Sequence, residues 1–238
     1  MKKLVLLICI TMLIVVGCGN PEASSEETDK VTANKEKSEA TIVDKSDMSK
    51  FTYGTSELEE EGYSIDGYDG EANVFEIPDT YEGSPVVEIG NTALAYINME
   101  KVILGKNVLK TDKEAFFYCE KLQTVEFNEK INTIGESTFL STGLSGKITI
   151  PDSVERIEVC AFADTNLEEV KLGNGVKYIG AQAFGENKNL KKVIFNCSDV
   201  EFEDGSVFNN CSNLTIMAPK GSTAEKYAKD NNINFEER

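Results

Sequence analysis

The side chains able to do chemistry in this 238-residue chain are six cysteines, 41 aspartates and glutamates and 24 lysines and arginines. There is no histidine and no tryptophan. Without histidine, His-based triads, His general bases and His metal ligands are excluded. No two cysteines stand as Cys-x-x-Cys, so a redox dithiol or a zinc site lacks its usual spacing. The acids Asp66, Asp69 and Glu71 lie close enough to suggest calcium, but they do not follow the EF-hand spacing and read as a polar turn. Glu59 to Glu61 reads as a solvated acidic run. Gly143-Leu-Ser-Gly146-Lys147 is superficially a phosphate loop, yet Ser141 stands where the earlier glycine is required. Glu168 and Glu169 are neighbours on a strand, so they point to opposite faces and cannot flank one substrate bond. No catalytic residue, metal site or cofactor is therefore assigned. A net charge of −17 argues against a nucleic-acid surface, which needs clustered positive charge. A hydrophobic content of 40% is enough for a folded core.

The remaining reactive candidate is Cys18. It follows a positive Met1-Lys2-Lys3 start and an apolar run from Leu4 to Val16, which is too short to span a bilayer comfortably and fits a signal-peptide core. The junction Val15-Val16-Gly17-Cys18 resembles the lipobox of bacterial lipoproteins, with Val15 where Leu is usual. That resemblance implies cleavage after residue 17 and acylation of Cys18, giving an extracytoplasmic protein anchored to the cell membrane and exposed at the surface. The alternative is a retained signal anchor with Cys18 a chance thiol. Cleavage removes two of the 24 basic residues and none of the 41 acidic ones, leaving a net charge of −19. Such a surface is not drawn to anionic lipid, so the acyl chains must hold it. Residues 18–50 are rich in Ser, Glu, Lys, Thr and Ala, without aromatics or apolar periodicity, and read as a tether with a reach of about 30 Å.

The folded part must be built from an internal repeat. Leu94, Phe116, Phe139, Phe162, Phe184 and Phe208 recur at steps of 22 to 24 residues. Val86, Val108, Ile131, Val154 and Val176 keep the same step, as do Val102, Val125, Ile148, Val170 and Val193. One unit cannot bury its own apolar residues; stacked units cover one another. The spacing predicts a short strand per coil, with pairs such as Val125 and Phe127 inward and Thr124 and Glu126 outward, and successive strands parallel about 4.8 Å apart. The Ala-Phe segment predicts a tight or short helical turn, and Gly90, Gly135 and Gly180 are expected to relax the backbone at a corner.

This pattern resembles the BspA-like leucine-rich repeat family. The matching stretches include Ile150-Pro151-Asp152-Ser153-Val154, Ile179-Gly180, Ala183-Phe184, Ala115-Phe116 with Cys119, and Phe208 with Cys211. Departures are Leu94 for Phe, Thr111-Asp112 for Ile-Gly, Glu158 for Gly, and a last copy without Ile-Gly. The resemblance implies a right-handed, curved leucine-rich repeat solenoid, mostly β with short helical turns, and a surface binding or adhesion role. The expected organisation is a signal peptide over 1–17, the tether over 18–50, a β cap over 51–84, about six repeats over 85–218 and a helical cap over 219–238. Ser222-Thr223-Ala224-Glu225 is a capping-box pattern opening that last helix, whose Ala224, Tyr227 and Ala228 share one face, with Ile233 and Phe235 completing the seal.

Cys119 and Cys211 occupy one repeat position four coils apart. Their separation of about 19 Å is beyond disulfide reach, so both read as buried small hydrophobes. A Cys160–Cys197 pair stays open. The outward strand positions form two columns: Lys101, Thr124, Lys147, Glu169 and Lys192, and Ile103, Glu126, Thr149, Lys171 and Ile194. They are the candidate docking surface for a protein or glycoprotein partner at the cell surface, the chain itself being expected to be monomeric. A merely solvated sheet face is the alternative, and at the level of function so is an envelope module that binds cell-wall polymer or scaffolds another membrane protein. Neither a two-lobed solute-binding protein nor an enzyme fits the repeat.

Overall fold

Each repeat is too small to cover its own apolar side chains, and the chain meets that need by coiling so that every unit is roofed by the next. The computed structural model describes residues 45–56, 58 and 62–238. The signal-peptide reading, Cys18, most of the tether and the acidic run from Glu59 to Glu61 lie outside the described residues.

A 3-10 turn at Met48–Lys50 leads into β1 (Phe51–Thr55), β2 (Tyr63–Tyr68), β3 (Val74–Glu76), β4 (Thr80–Tyr81) and β5 (Ser84–Ile89). The coils then supply β6 (Lys101–Ile103) and β7 (Lys110–Thr111), β8 (Thr124–Glu126) and β9 (Thr133–Ile134), and β10 (Ser145–Thr149) and β11 (Arg156–Ile157). They continue with β12 (Asn166–Lys171) and β13 (Tyr178–Ile179), β14 (Lys192–Ile194) and β15 (Glu201–Phe202), and β16 (Thr215–Ala218). Helix α1 (Thr223–Asp230) and β17 (Asn234–Glu237) close the chain. β1 pairs antiparallel with β2, and β4 with β5. The coil strands pair in parallel, one coil to the next.

Three ladders hold the coils together. The first runs β2-β5-β7-β9-β11-β13-β15, with β1 added to its start. The second follows the Val-x-Leu/Phe strands, in two pieces: β3-β6-β8 and β10-β12-β14-β16-β17. The third is made by the turn around the core Phe, where alternate N–H groups donate to the next coil: Phe116 to Thr138, Phe139 to Ala161, and Phe162 to Ala183 carbonyls. The Ala-Phe segment is a chain of tight turns, closed by bonds such as Phe117 N–H to Glu114 O and Cys119 N–H to Phe116 O. Two non-glycine residues in each of five coils, four positions apart, take positive φ: Thr92 and Tyr96, Glu114 and Tyr118, Ser137 and Ser141, Cys160 and Asp164, Gln182 and Glu186. Each such residue costs on the order of 1–2 kcal/mol unless it is Gly, Asn or Asp.

The corner glycines act differently from expectation. Gly90, Gly135 and Gly180 are not among the positive-φ residues. Their reason is close approach: a Cβ at Gly135 would stand 2.5 Å from Thr111 O, and one at Gly180 2.5 Å from Val159 N. Strand register makes the succession along this edge Asp66, Gly90, Asp112, Gly135, Glu158, Gly180, Glu203. Glycine coils thus alternate with acidic ones, and Asp112 and Glu158, departures from the repeat pattern, are its other half.

The core is one apolar column. Phe116, Phe139, Phe162, Phe184 and Phe208 stack ring on ring, with centroids 5.2 to 5.6 Å apart. Val102, Val170 and Val193 are wholly buried beside them. Val125 and Phe127 are not; both are half-buried. Here the ladder is interrupted, because β8 and β10 share no pairing. The turn before β10 differs from the one before β8. Two residues separate Cys119 from Leu122, but only Gly143 separates Thr142 from Leu144, so the next strand starts early. A Cβ at Gly143 would overlap Glu120 O, and Gly146, at φ +70°, marks the register shift that restores the repeat.

At the C-terminal end, Ser222 Oγ accepts from Glu225 N–H at 3.2 Å. The reciprocal bond goes one residue further back than a capping box has it: Gly221 N–H donates to Glu225 Oε2 at 2.6 Å. Ala224, Tyr227 and Ala228 are buried, and Ile233 and Phe235 pack half-buried against the core. Tyr227 meets Phe208 edge-on and stacks on Phe202 at 4.2 Å, sealing the column.

Candidate functional site

The strand face carries the predicted columns in register. Lys101 lies opposite Thr124, Lys147 opposite Glu169, and Glu169 opposite Lys192; Ile103 lies opposite Glu126, Thr149 opposite Lys171, and Lys171 opposite Ile194. The break between β8 and β10 separates each column into an upper and a lower part. Charge on this face is largely matched. Lys101 pairs with Glu126, Lys147 with Glu169 at 3.1 Å, and Lys191 with Glu168 at 2.9 Å. The Lys191 ammonium holds the Glu168 carboxyl below its usual pKa, through their hydrogen bond first and its charge second. Exposed pairs of this kind contribute little to stability. Ile103 and Ile194 are half-buried rather than fully outward, Ile194 lying beside Met217 of the next coil.

The first ladder has its own polar face. Arg156 lies over the Tyr178 ring at 4.1 Å and bonds Glu158 at 2.7 Å. Burial, then the hydrogen bond its hydroxyl donates to the Glu203 carboxylate, pushes the Tyr178 phenol up to about 12. Near the N-terminal end, a cleft is lined by Ser64, Asp66, Glu88, Asn91, Lys110 and Asp112. Its groups engage each other: Lys110 pairs with Glu88 at 3.1 Å, Ser56 Oγ donates to Glu88 at 2.7 Å, and Ser64 Oγ to Asp66 at 2.6 Å. Burial opposes the charge on Lys110 more than any single contact favours it, but the bond to Glu88, the Glu88 charge and Asp112 together keep its pKa above the usual lysine value. The arrangement is a structural ion network. Among the described residues, no three Cys, Asp or Glu side chains gather where they could hold a metal ion.

Cys119, Cys197 and Cys211 are free thiols, and a free Cys197 decides against the Cys160–Cys197 pair. Cys119 Sγ donates to Leu94 O at 3.1 Å, and Cys211 Sγ to Phe184 O at 3.2 Å. Burial pushes these thiols up to about 12 and about 11. A protonated, buried thiol is a poor nucleophile. In the folded chain, iodoacetamide is expected to alkylate the half-exposed Cys197 while sparing Cys119 and Cys211, as read by peptide mass mapping. Early loss of Cys119 would contradict the burial. The sign of the linked pH effect follows. Both thiols are protonated in either state below the usual value of 9.0, and only the unfolded chain ionises just above it, so stability falls as pH rises further.

The turn face was not singled out by the repeat reading. Two residues after each core Leu or Phe stand Tyr96, Tyr118, Ser141, Asp164, Glu186 and Asn210. Tyr96 is 68% exposed and Tyr118 44%, and both rings contact Phe117, at 5.5 and 4.8 Å. Tabulating the repeat by this outward column, rather than by its apolar ones, would have found them.

The comparisons agree with this geometry. The T. pallidum leucine rich repeat protein has a crystal structure similar to this chain, with 25% identity, a TM-score of 0.58, and coverage of 81% of this chain and 98% of that one. A leucine-rich repeat protein from Bacteroides ovatus matches with 23% identity and a TM-score of 0.57, over 71% of this chain and 45% of its own. A leucine rich cell surface protein from Faecalibacterium prausnitzii matches with 19% identity and a TM-score of 0.54, over 73% and 54%. This chain therefore spans about half the length of the latter two. No curated protein matches it. Among the described residues, no helix is long and apolar enough to cross a membrane. Residues 87–215 match six copies of the BspA type leucine rich repeat region, and with the stacked Phe column and parallel ladders beneath that match, the chain belongs to the BspA-type leucine-rich repeat family.

Proposed function

We propose that this protein is a lipid-anchored, extracytoplasmic surface protein that binds other proteins through its solenoid and catalyses no reaction. The observation that carries the reading is the solenoid itself, whose interior is filled by a Phe column and whose length is spent on broad outer faces. Solenoids use such faces for binding. The lipobox-like junction at Cys18 supports the anchor, and the description of the Faecalibacterium prausnitzii neighbour as a cell surface protein supports the address. The outward strand columns form the first candidate docking face.

Fractionation of producing cells tests the anchor. Wild-type protein is expected in the membrane fraction with a lipid-bearing mass at Cys18, and Cys18→Ala in the soluble fraction. Membrane retention of that variant with no attached lipid would refute the anchor. Crosslinking on intact cells, followed by pull-down, tests binding. A protein partner lost on changing Lys101, Lys147 and Lys192 to Glu supports the strand face. Sedimentation with purified cell-wall polymer, without any protein partner, would replace protein binding by the envelope reading.

A further inference from the structure

The aromatic cluster on the turn face is placed where the fold least favours it. The column Tyr96, Tyr118, Ser141, Asp164, Glu186, Asn210 has φ between +54° and +62° throughout. That conformation suits Asn and Asp and penalises a large side chain. Four coils obey or compromise; the first two carry tyrosine, and Tyr96 and Tyr118 are also two of the three large apolar side chains left exposed among the described residues. With half-buried Phe117 between them, they form a continuous aromatic patch, the Tyr96 and Tyr118 rings lying 5.9 Å apart.

The same column turns acidic further along. Ser141 Oγ donates to Asp164 Oδ2 at 2.8 Å, and Asn210 Nδ2 to Glu186 Oε1 at 2.6 Å. Among the described residues neither carboxylate has a cationic partner, whereas on the strand face Glu126, Glu168 and Glu169 each do. At about 4.8 Å per coil, Asp164 lies roughly 10 Å and Glu186 roughly 14 Å from Tyr118, the span of about three and four residues of extended chain. An aromatic platform followed by unmatched carboxylates at that spacing complements a cationic strand: arginine stacks on tyrosine faces, and its neighbours meet the acids.

We propose that the turn column from Tyr96 to Glu186 binds an extended, basic segment of a partner protein, with arginine or an aromatic residue on the Tyr96–Phe117–Tyr118 patch and a further cation at Asp164 and Glu186. This rests on the protein-binding reading and adds to it the face and the chemistry of the partner.

The test uses the full-length chain in neutral detergent and a fluorescein-labelled twelve-residue peptide alternating Arg and Ser, read by anisotropy. Binding is expected to weaken at least tenfold for Tyr96→Asn with Tyr118→Asn, and severalfold for Asp164→Asn with Glu186→Gln. Tyr96→Phe with Tyr118→Phe is expected to retain it. Because Asn suits the positive φ, the Asn double variant is expected to melt no lower than wild type, so lost binding cannot be blamed on unfolding. Glu126→Gln with Glu168→Gln makes the same charge change on the strand face and is expected to leave affinity unaltered. Equal weakening by that pair would reduce the effect to diffuse attraction and overturn the proposal. So would a fall in melting temperature with unchanged binding, which assigns the rings to packing. Binding of cell-wall polymer lost in the Asn variant, with no peptide binding, overturns the partner class. A protein partner from the crosslinking experiment whose capture needs the strand lysines but not the tyrosines refutes this face while leaving the protein-binding function standing.

Discussion

Replacing Phe162 by Ala is expected to lower the unfolding free energy by about 3–5 kcal/mol. The ring is wholly buried, with Phe139 stacked at 5.2 Å on one side and Phe184 at 5.3 Å on the other. Truncation removes both stacking contacts and leaves a cavity whose walls belong to three coils, each pinned to the next by turn-ladder bonds such as Phe162 N–H to Ala183 O. Those bonds limit collapse into the void, which places the loss toward the upper end. Phe162→Leu is expected to cost much less, about 1–1.5 kcal/mol, since Leu94 already fills this position in the first coil without exposure. Phe208→Ala, at the column's end with one Phe neighbour and the edge of Tyr227, is expected to fall between them. Urea unfolding followed by far-ultraviolet circular dichroism gives all three values. A loss below about 1 kcal/mol for Phe162→Ala would mean that the coils do not share a core.

How much of this was legible beforehand depends on what each column of the repeat does. Apolar columns were legible because burial selects by residue type at a fixed step: Phe116, Phe139, Phe162, Phe184 and Phe208 could be aligned by eye, and they stack. The outward lysine columns followed from strand alternation, and pairing confirms their register within each piece of the ladder. The interruption between β8 and β10 was not legible. It coincides with a one-residue shortening between Thr142 and Leu144 that the extra Gly146 makes up before Ile148, so the 23-residue step from Phe116 to Phe139 to Phe162 hides it. The glycine roles were misjudged because type alone does not separate left-handed φ from close approach; only the neighbouring coil's Thr111 O and Val159 N do that. The turn face escaped because its column is chemically mixed, running from tyrosine to serine to acid.

That mixture is also what separates the two faces as binding surfaces. On the strand face, Lys101, Lys147 and Lys191 meet glutamates nearby, while Lys171 and Lys192 form no ion pair among the described residues, so the charge left over on that face is positive. On the turn face, Asp164 and Glu186 are held by a hydroxyl and an amide, which orient each carboxylate but leave its charge unmatched. In a chain of net charge −17, unmatched acids in register beside exposed aromatic rings distinguish one direction of approach from the rest.

Asn187 carries the second large effect. Three residues after each core Phe stand Cys119, Thr142, Thr165, Asn187 and Cys211, and each helps close hydrogen bonds of the turn. Asn187 does most, being wholly buried: its Nδ2 donates to Phe162 O at 2.8 Å and Phe184 O at 2.9 Å, and its Oδ1 accepts from Thr165 N–H at 3.1 Å and from the Thr165 hydroxyl. Asn187→Ala leaves these partners in a dry interior and is expected to cost about 3 kcal/mol, since each buried unsatisfied group costs about 1–3 kcal/mol and the losses do not simply add. Asn187→Cys is expected to regain part of it, because Cys119 and Cys211 serve a preceding-coil carbonyl from this column with one donor. Asn187→Asp is the sharpest form of the test. Its shape is conserved, but an ionised carboxylate would face two carbonyl oxygens without water, so the folded state favours the neutral acid and raises its pKa above the unfolded value of about 3.9. The penalty is therefore smallest at pH 3, where the single acid proton still leaves one of the two carbonyls without its donor, and grows by about 1.4 kcal/mol per unit of pH above about 4, until the folded chain itself ionises or unfolds. Urea titrations at pH 3.5, 5 and 7, each against wild type at the same pH, measure that slope, and a pH-independent difference would show that the side chain reaches water and that the turn carbonyls are satisfied some other way.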